Sequence, residues 1–157
     1  MITLKEGDRA PLFSGHDQDG KPISLTDYAG KTLVFFFYSE AGSPTCTIES
    51  CNLRDHFQEI KAHGLEVVGI SPDNQKAQKK FEQKYRLPYR LIADVNHTIA
   101  DAYGTRDMKK LFGREYMGIL RTTFIIDGEG VILKIFHKPK NKAHAQEILA
   151  ALNARWK

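Results

Sequence analysis

Cysteine is scarce in this sequence: Cys46 and Cys51 are the two among 157 residues. They are too few for a typical zinc site, and neither they nor the six histidines show CxxC or HxxxH spacing, so no metal and no cofactor is expected. Long apolar runs are missing as well. None approaches the roughly 18 residues that a membrane span needs, so no membrane association is expected. Residues 1–13 hold no apolar signal core, no small-residue cleavage site and no Arg- and Ser-rich amphipathic pattern, which makes the cytoplasm the expected compartment. That compartment keeps thiols reduced, so the cysteines are poor candidates for a structural disulfide. Repeats, low-complexity tracts and linkers are also lacking, and the length suits one domain over residues 1–157.

The net charge of +4 raises the question of nucleic acid, but the basic residues are dispersed. The densest group, Lys76, Lys79, Lys80 and Lys84, accompanies Ala77, Phe81 and Tyr85 at i, i+4, i+8, the pattern of a solvated helix face. No nucleic-acid motif goes with it, and no such partner is expected.

What the sequence does contain is a clear alternation of elements. Phe13–Leu25, with the turn Asp19-Gly20, reads as a hairpin laid on the main body. Leu33–Tyr38 is an unbroken apolar run suited to a central strand covered on both faces. Ser43-Pro44 opens a helix, with the serine hydroxyl at the N-cap, that runs to His63-Gly64. A strand at 65–71, a helix at 73–85, a short strand at 91–93 and a short helix at 97–103 follow. Strands at 121–126 and 131–137 flank the turn Asp127–Gly130. A last helix carries Ala145, Ile148, Leu149, Leu152 and Trp156 in one stripe, with Asn141 as its N-cap. This βαβ then ββα order predicts an α/β fold with a mixed central sheet flanked by helices, a thioredoxin-like arrangement with an added N-terminal hairpin.

The segment with chemical content surrounds the cysteines. Helical geometry puts Leu53, Phe57 and Ile60 within about 40° of Cys46 around the axis, so Cys46 shares the buried stripe. Cys51 lies about 140° away and about 7.5 Å along the axis, a Cα separation of about 8.6 Å. A disulfide needs less than about 7 Å, so the two sulfurs cannot join while the helix is intact. The first turn, whose N–H groups lack intrahelical partners, is the cheapest part to open. It is also where the positive end of the helix dipole stabilises a thiolate, which favours reactivity at Cys46 over Cys51. On spacing alone Cys46 reads equally as a reactive thiol or as a small core hydrophobe.

Ser43, Cys46, Glu49 and Cys51 fit the pattern P-x-x-x-[TS]-x-x-C-x-x-E with a second cysteine five residues on, and Arg121-Thr122-Thr123-Phe124 fits R-x-[TS]-F. In these motifs, and from Gly7–Pro11 and Ser24–Asp27 to the terminal helix, the chain resembles the peroxiredoxins of the bacterioferritin-comigratory or Q-type group. The resemblance implies a thiol peroxidase acting on hydrogen peroxide and organic hydroperoxides. Cys46 would attack the peroxide and become a sulfenic acid, and Cys51 would resolve it as an intramolecular disulfide. Thioredoxin or a similar dithiol would reduce that disulfide. Arg121, Ser43 and the first-turn amides would orient the peroxide, Arg121 would favour the thiolate, and Glu49 would hold the arginine. The expected state is a monomer or a weak homodimer.

The chain departs from the pattern at Ser39, where the family has proline. Proline would restrict the backbone and shield the thiol, so Tyr38–Gly42 is expected to be more mobile than usual. Two other readings fit the residues less well. A dithiol exchange enzyme favours CxxC, against the x4 spacing here, and a non-enzymatic binding module would not need Arg121 and Ser43.

Overall fold

The computed structural model describes residues 2–155. Five strands form the main sheet: β3 (Thr32–Phe37), β4 (Leu65–Ser71), β5 (Arg90–Ala93), β8 (Thr122–Ile126) and β9 (Ile132–Phe136), in the order β5-β4-β3-β8-β9. β3, β4 and β5 run parallel, while β8 is antiparallel to both β3 and β9. The expected mixed sheet is therefore present. Helices α1 (Pro44–Asp55), α2 (Phe57–Ala62), α3 (Gln75–Tyr85), α4 (Thr98–Tyr103) and α5 (His144–Arg155) cover it. None of the helices is long and apolar enough to cross a membrane.

The alternation of side chains along β3 explains why its apolar run is unbroken. Leu33, Phe35 and Phe37 belong to one core with Phe13, Ile23, Tyr103 and Phe124. Val34, Phe36 and Tyr38 belong to the other, with Cys46, Leu53, Ile60, Phe81, Ile148 and Leu152. Both faces of the strand are thus buried. Gly69 is paired with Phe36 across the parallel ladder, and a Cβ there would lie 2.8 Å from the phenyl ring, so only glycine fits.

The N-terminal hairpin is β1 (Ser14–His16) with β2 (Pro22–Ser24). Its turn is organised by the Asp17 carboxylate, which accepts from the amides of Asp19 and Lys21 and from Arg90 on β5.

Three expectations need correction. The helix expected over 43–63 is two helices, broken at His56, whose φ of −108° leaves the helical region. Its imidazole Nδ1 lies 2.9 Å from the Asn52 carbonyl, nearer than its own amide at 3.3 Å, so a side chain intrudes into the helical ladder. Asn141 does not cap α5, which starts at His144. Asn52 of α1 does that work from across the interface: its Oδ1 accepts from the Ala145 amide at 2.7 Å. Finally, residues 106–119 form an unforeseen ribbon, β6 (Arg106–Leu111) and β7 (Arg114–Ile119), turning at Phe112-Gly113 with positive φ at both. The stripe of α5 is buried at Ala145, Ile148, Leu149 and Leu152, and Trp156 lies outside the described residues.

Candidate active site

The site is assembled by the end of β3. Pairing Phe37 with Thr122 in antiparallel register puts Arg121 at the sheet end from which residues 38–43 lead into α1. Pro44 occupies the first turn, where its missing N–H costs nothing. Cys46 follows within that turn, 1% exposed and in the core cluster of Leu53 and Ile60, as the periodicity predicts. Glu49, one turn on, is fully buried, and its Oε2 accepts from Arg121 Nη1 at 3.1 Å. Burial pushes its carboxyl up to about 7, against the pull of the Arg121 guanidinium. Among the described residues its Oε1 has no hydrogen-bond partner.

Ser43 sits at the N-cap of α1, but its hydroxyl does not cap the helix; it donates to the Glu40 carbonyl at 3.1 Å. The hydroxyl beside the thiol belongs to Ser39, whose Oγ is 3.5 Å from Cys46 Sγ. The segment around Ser39, expected to be loose without the family proline, is tied down. The Ala41 amide donates to Asp73 Oδ2 at 2.8 Å, and Asp73 in turn accepts from Ser71. Gln78 joins this network by donating to Ser71 and accepting from the Tyr38 hydroxyl.

Cys51 is half-buried on the same unbroken helix, both cysteines are free thiols, and burial pushes the Cys51 thiol up. The helix around it is well held: Tyr89 donates to the Ser50 carbonyl at 2.7 Å, and Arg54 to the Tyr85 carbonyl at 2.8 Å.

A cleft of about 390 Å³ opens beside Ser39 and Glu40, walled by Pro72, His97 and ribbon residues that include Lys109 and Tyr116. Lys109 Nζ donates to the Ile119 carbonyl at 2.7 Å. Its burial favours the neutral amine, while Cys46 acts on it in the opposite direction. A second cavity, of about 260 Å³, lies at the other end of β3 near Leu33 and Gly128, away from both cysteines.

The sequence gives Lys109, Asp73 and Tyr89 no part in the site. No periodicity marks them, because they reach it from the ribbon, from the loop after β4 and from the residue before β5. Behind Arg121, a buried relay runs from Thr123 Oγ1 to His144 Nε2 at 2.7 Å and from His144 Nδ1 to Glu147 Oε1 at 2.6 Å. Burial holds the His144 imidazole below its ordinary value, so it is neutral at pH 7, accepting at Nε2 and donating at Nδ1.

The family model for AhpC/TSA matches residues 6–135. Peroxiredoxin Bcp of Bacillus subtilis is 39% identical over 151 residues, covering 96% of each chain. Peroxiredoxin Bcp of Escherichia coli is 38% identical, covering 95% of this chain and 96% of its own. Among solved structures, peroxidoxin BcpB of Mycobacterium tuberculosis superposes with a TM-score of 0.86 at 35% identity, over 98% of this chain and 99% of its own. The bacterioferritin comigratory protein of Xanthomonas campestris, whose alkyl peroxide reduction was followed in trapped intermediate and ligand complexes, gives 0.85 at 28% identity over the whole of both chains. With its thioredoxin-like sheet, its cysteine helix and these end-to-end likenesses, the chain belongs to the AhpC/TSA family, as a peroxiredoxin of the bacterioferritin-comigratory group.

Proposed function

We propose that Cys46 is the peroxidatic cysteine of this thiol peroxidase and Cys51 its resolving cysteine. The Cys46 thiolate attacks one oxygen of the peroxide. An S–O bond forms, the O–O bond breaks, and the departing oxygen takes a proton to leave as water or an alcohol. The sulfur is oxidised to a sulfenic acid. The amides of Thr45 and Cys46, which have no intrahelical acceptors, and the Arg121 guanidinium stabilise the charge on the departing oxygen. Glu49 holds Arg121 for that task. The Ser43 proton is directed at Glu40, so this hydroxyl offers the peroxide its lone pairs.

The Cys51 thiolate then attacks the sulfenic sulfur; an S–S bond forms and hydroxide leaves, taking a proton to become water. This step needs α1 to open, and opening also frees Cys51 from the burial that disfavours its thiolate. An external dithiol, thioredoxin or one like it, reduces the disulfide by exchange. The same reading has the chain working as one domain in the cytoplasm, as a monomer or weak homodimer.

The observation that carries the proposal is the meeting at one sheet end of a first-turn cysteine and an Arg121–Glu49 pair whose carboxyl is buried. It is tested by consumption of one equivalent of peroxide. Cys46→Ser should abolish it, and Cys51→Ser should retain the first turnover and accumulate sulfenic acid. Full single-turnover consumption by Cys46→Ser would refute the assignment.

A further inference from the structure

We propose that the Ser39 hydroxyl is a catalytic group in its own right, donating a hydrogen bond to the Cys46 thiolate that the family's proline cannot supply. The inference rests on the reading of Cys46 as the reactive thiol. Among the described residues, Ser39 Oγ is the one side-chain hydrogen-bond partner of Cys46 Sγ, and Cys46 the one partner of Ser39 Oγ. With a neutral thiol either atom can donate. Once the sulfur is ionised it can only accept, so the Ser39 proton must turn toward it. Hydrogen bonds to the charged form favour that form, and a charged acceptor strengthens the bond.

Two of the neighbouring side-chain donors are engaged elsewhere. The single Ser43 proton goes to the Glu40 carbonyl, and Arg121 Nη1 goes to Glu49. Among the described residues, Ser39 is thus the hydroxyl within hydrogen-bond reach of the thiol.

A donor at this place helps only if the backbone holds it there. Proline would supply stiffness through its ring but has neither an N–H nor a hydroxyl. Here the two tasks are divided. The Tyr38 amide extends the ladder to the Ile70 carbonyl at 3.0 Å on one side of Ser39, and the Ala41 amide is held by Asp73 on the other. Asp73, itself gripped by Ser71, is the positioning residue. Ser39 also forms part of the cleft wall shared with Lys109, so one residue touches both the thiol and the cleft. The proton stays on Oγ throughout, and no covalent bond changes.

The test is the pH dependence of Cys46 alkylation by iodoacetamide in the full chain carrying Cys51→Ser, which reports thiolate formation without peroxide. Ser39→Ala should move the midpoint upward by about one pH unit, about a tenfold loss of thiolate below it. Ser39→Thr, which keeps the hydroxyl, should stay near the parent. Ser39→Pro should follow alanine even though it restores the family residue. Asp73→Ala should move the midpoint part of the way, and adding it to Ser39→Ala should move it no further. An unmoved midpoint in a natively folded Ser39→Ala protein, or a threonine variant that behaves like alanine, would overturn the proposal. Because no peroxide is present, that outcome is separate from failure of the peroxidase assignment, which peroxide consumption by Cys46→Ser decides.

Discussion

Arg121 and Glu49 are joined by a hydrogen bond of 3.1 Å between the residue that precedes β8 and the second turn of α1, and the carboxylate is fully buried. One guanidinium nitrogen is engaged, and the arginine side chain remains 28% exposed. The pair fastens the cysteine helix to the sheet from below while leaving donors for a ligand above.

Glu49 carries a stability cost that depends on pH. Its folded value of about 7 lies above the ordinary 4.5, so its favourable contribution is present below 4.5 and is lost as pH rises through 7. The span corresponds to about 3 kcal/mol. Urea unfolding at pH 5 and pH 8 should show wild type losing roughly that much more stability than Glu49→Gln, which has no charge to bury. Parallel losses in the two proteins would contradict this.

Arg121→Ala should slow the first turnover with peroxide by about 10²-fold, the usual cost of removing a donor to a developing oxyanion. Arg121→Lys should recover only part of the rate, because an ammonium cannot hold Glu49 and a ligand with a planar fork. Stopped-flow measurement at equimolar peroxide separates the three proteins.

Opening of α1 is resisted by Tyr89, whose buried hydroxyl holds the Ser50 carbonyl. Tyr89→Phe removes a bond worth about 1 kcal/mol. Disulfide formation after peroxide addition should speed up roughly fivefold while sulfenic acid formation is unchanged. Quench-and-trap kinetics with a thiol-blocking reagent resolves the two steps.

Thr123→Val should strand His144 Nε2 in the core without its donor and cost about 1–3 kcal/mol of unfolding free energy. The native imidazole is held below its ordinary value, so its stabilising contribution is present above that ordinary value and lost as pH falls through the lowered one. Relative to His144→Gln, wild type should therefore lose stability as pH falls below the ordinary histidine value, as urea midpoints of the two proteins across that range would show.

Much of this arrangement was legible in the chain. Leu33–Tyr38, Pro44 at a helix start and the Asp127–Gly130 turn each carry a local signal with a local cause. Cys46 and Leu53 share a stripe because 3.6-residue periodicity requires it. The β6–β7 ribbon escaped because it has no buried face to impose alternation: Met108, Tyr116 and Met117 are exposed, and Phe112 at the turn is 94% exposed. Asn141 is near the start of α5 in sequence, whereas Asn52 reaches that helix start through packing. Ser39 was read as a missing proline. Its nearness to Cys46 depends on how the β3–α1 loop folds back, which no spacing rule encodes.

The central claim is that Cys46 and Cys51 react with each other only when the helix between them opens. Amide hydrogen exchange across residues 44–55, compared between the reduced protein and protein treated with one equivalent of peroxide, tests it most directly. The prediction is strong protection from Thr47 to Asp55 in the reduced state and its loss around Cys46–Cys51 once the disulfide forms. A Cys46–Cys51 disulfide formed with that protection intact would contradict it.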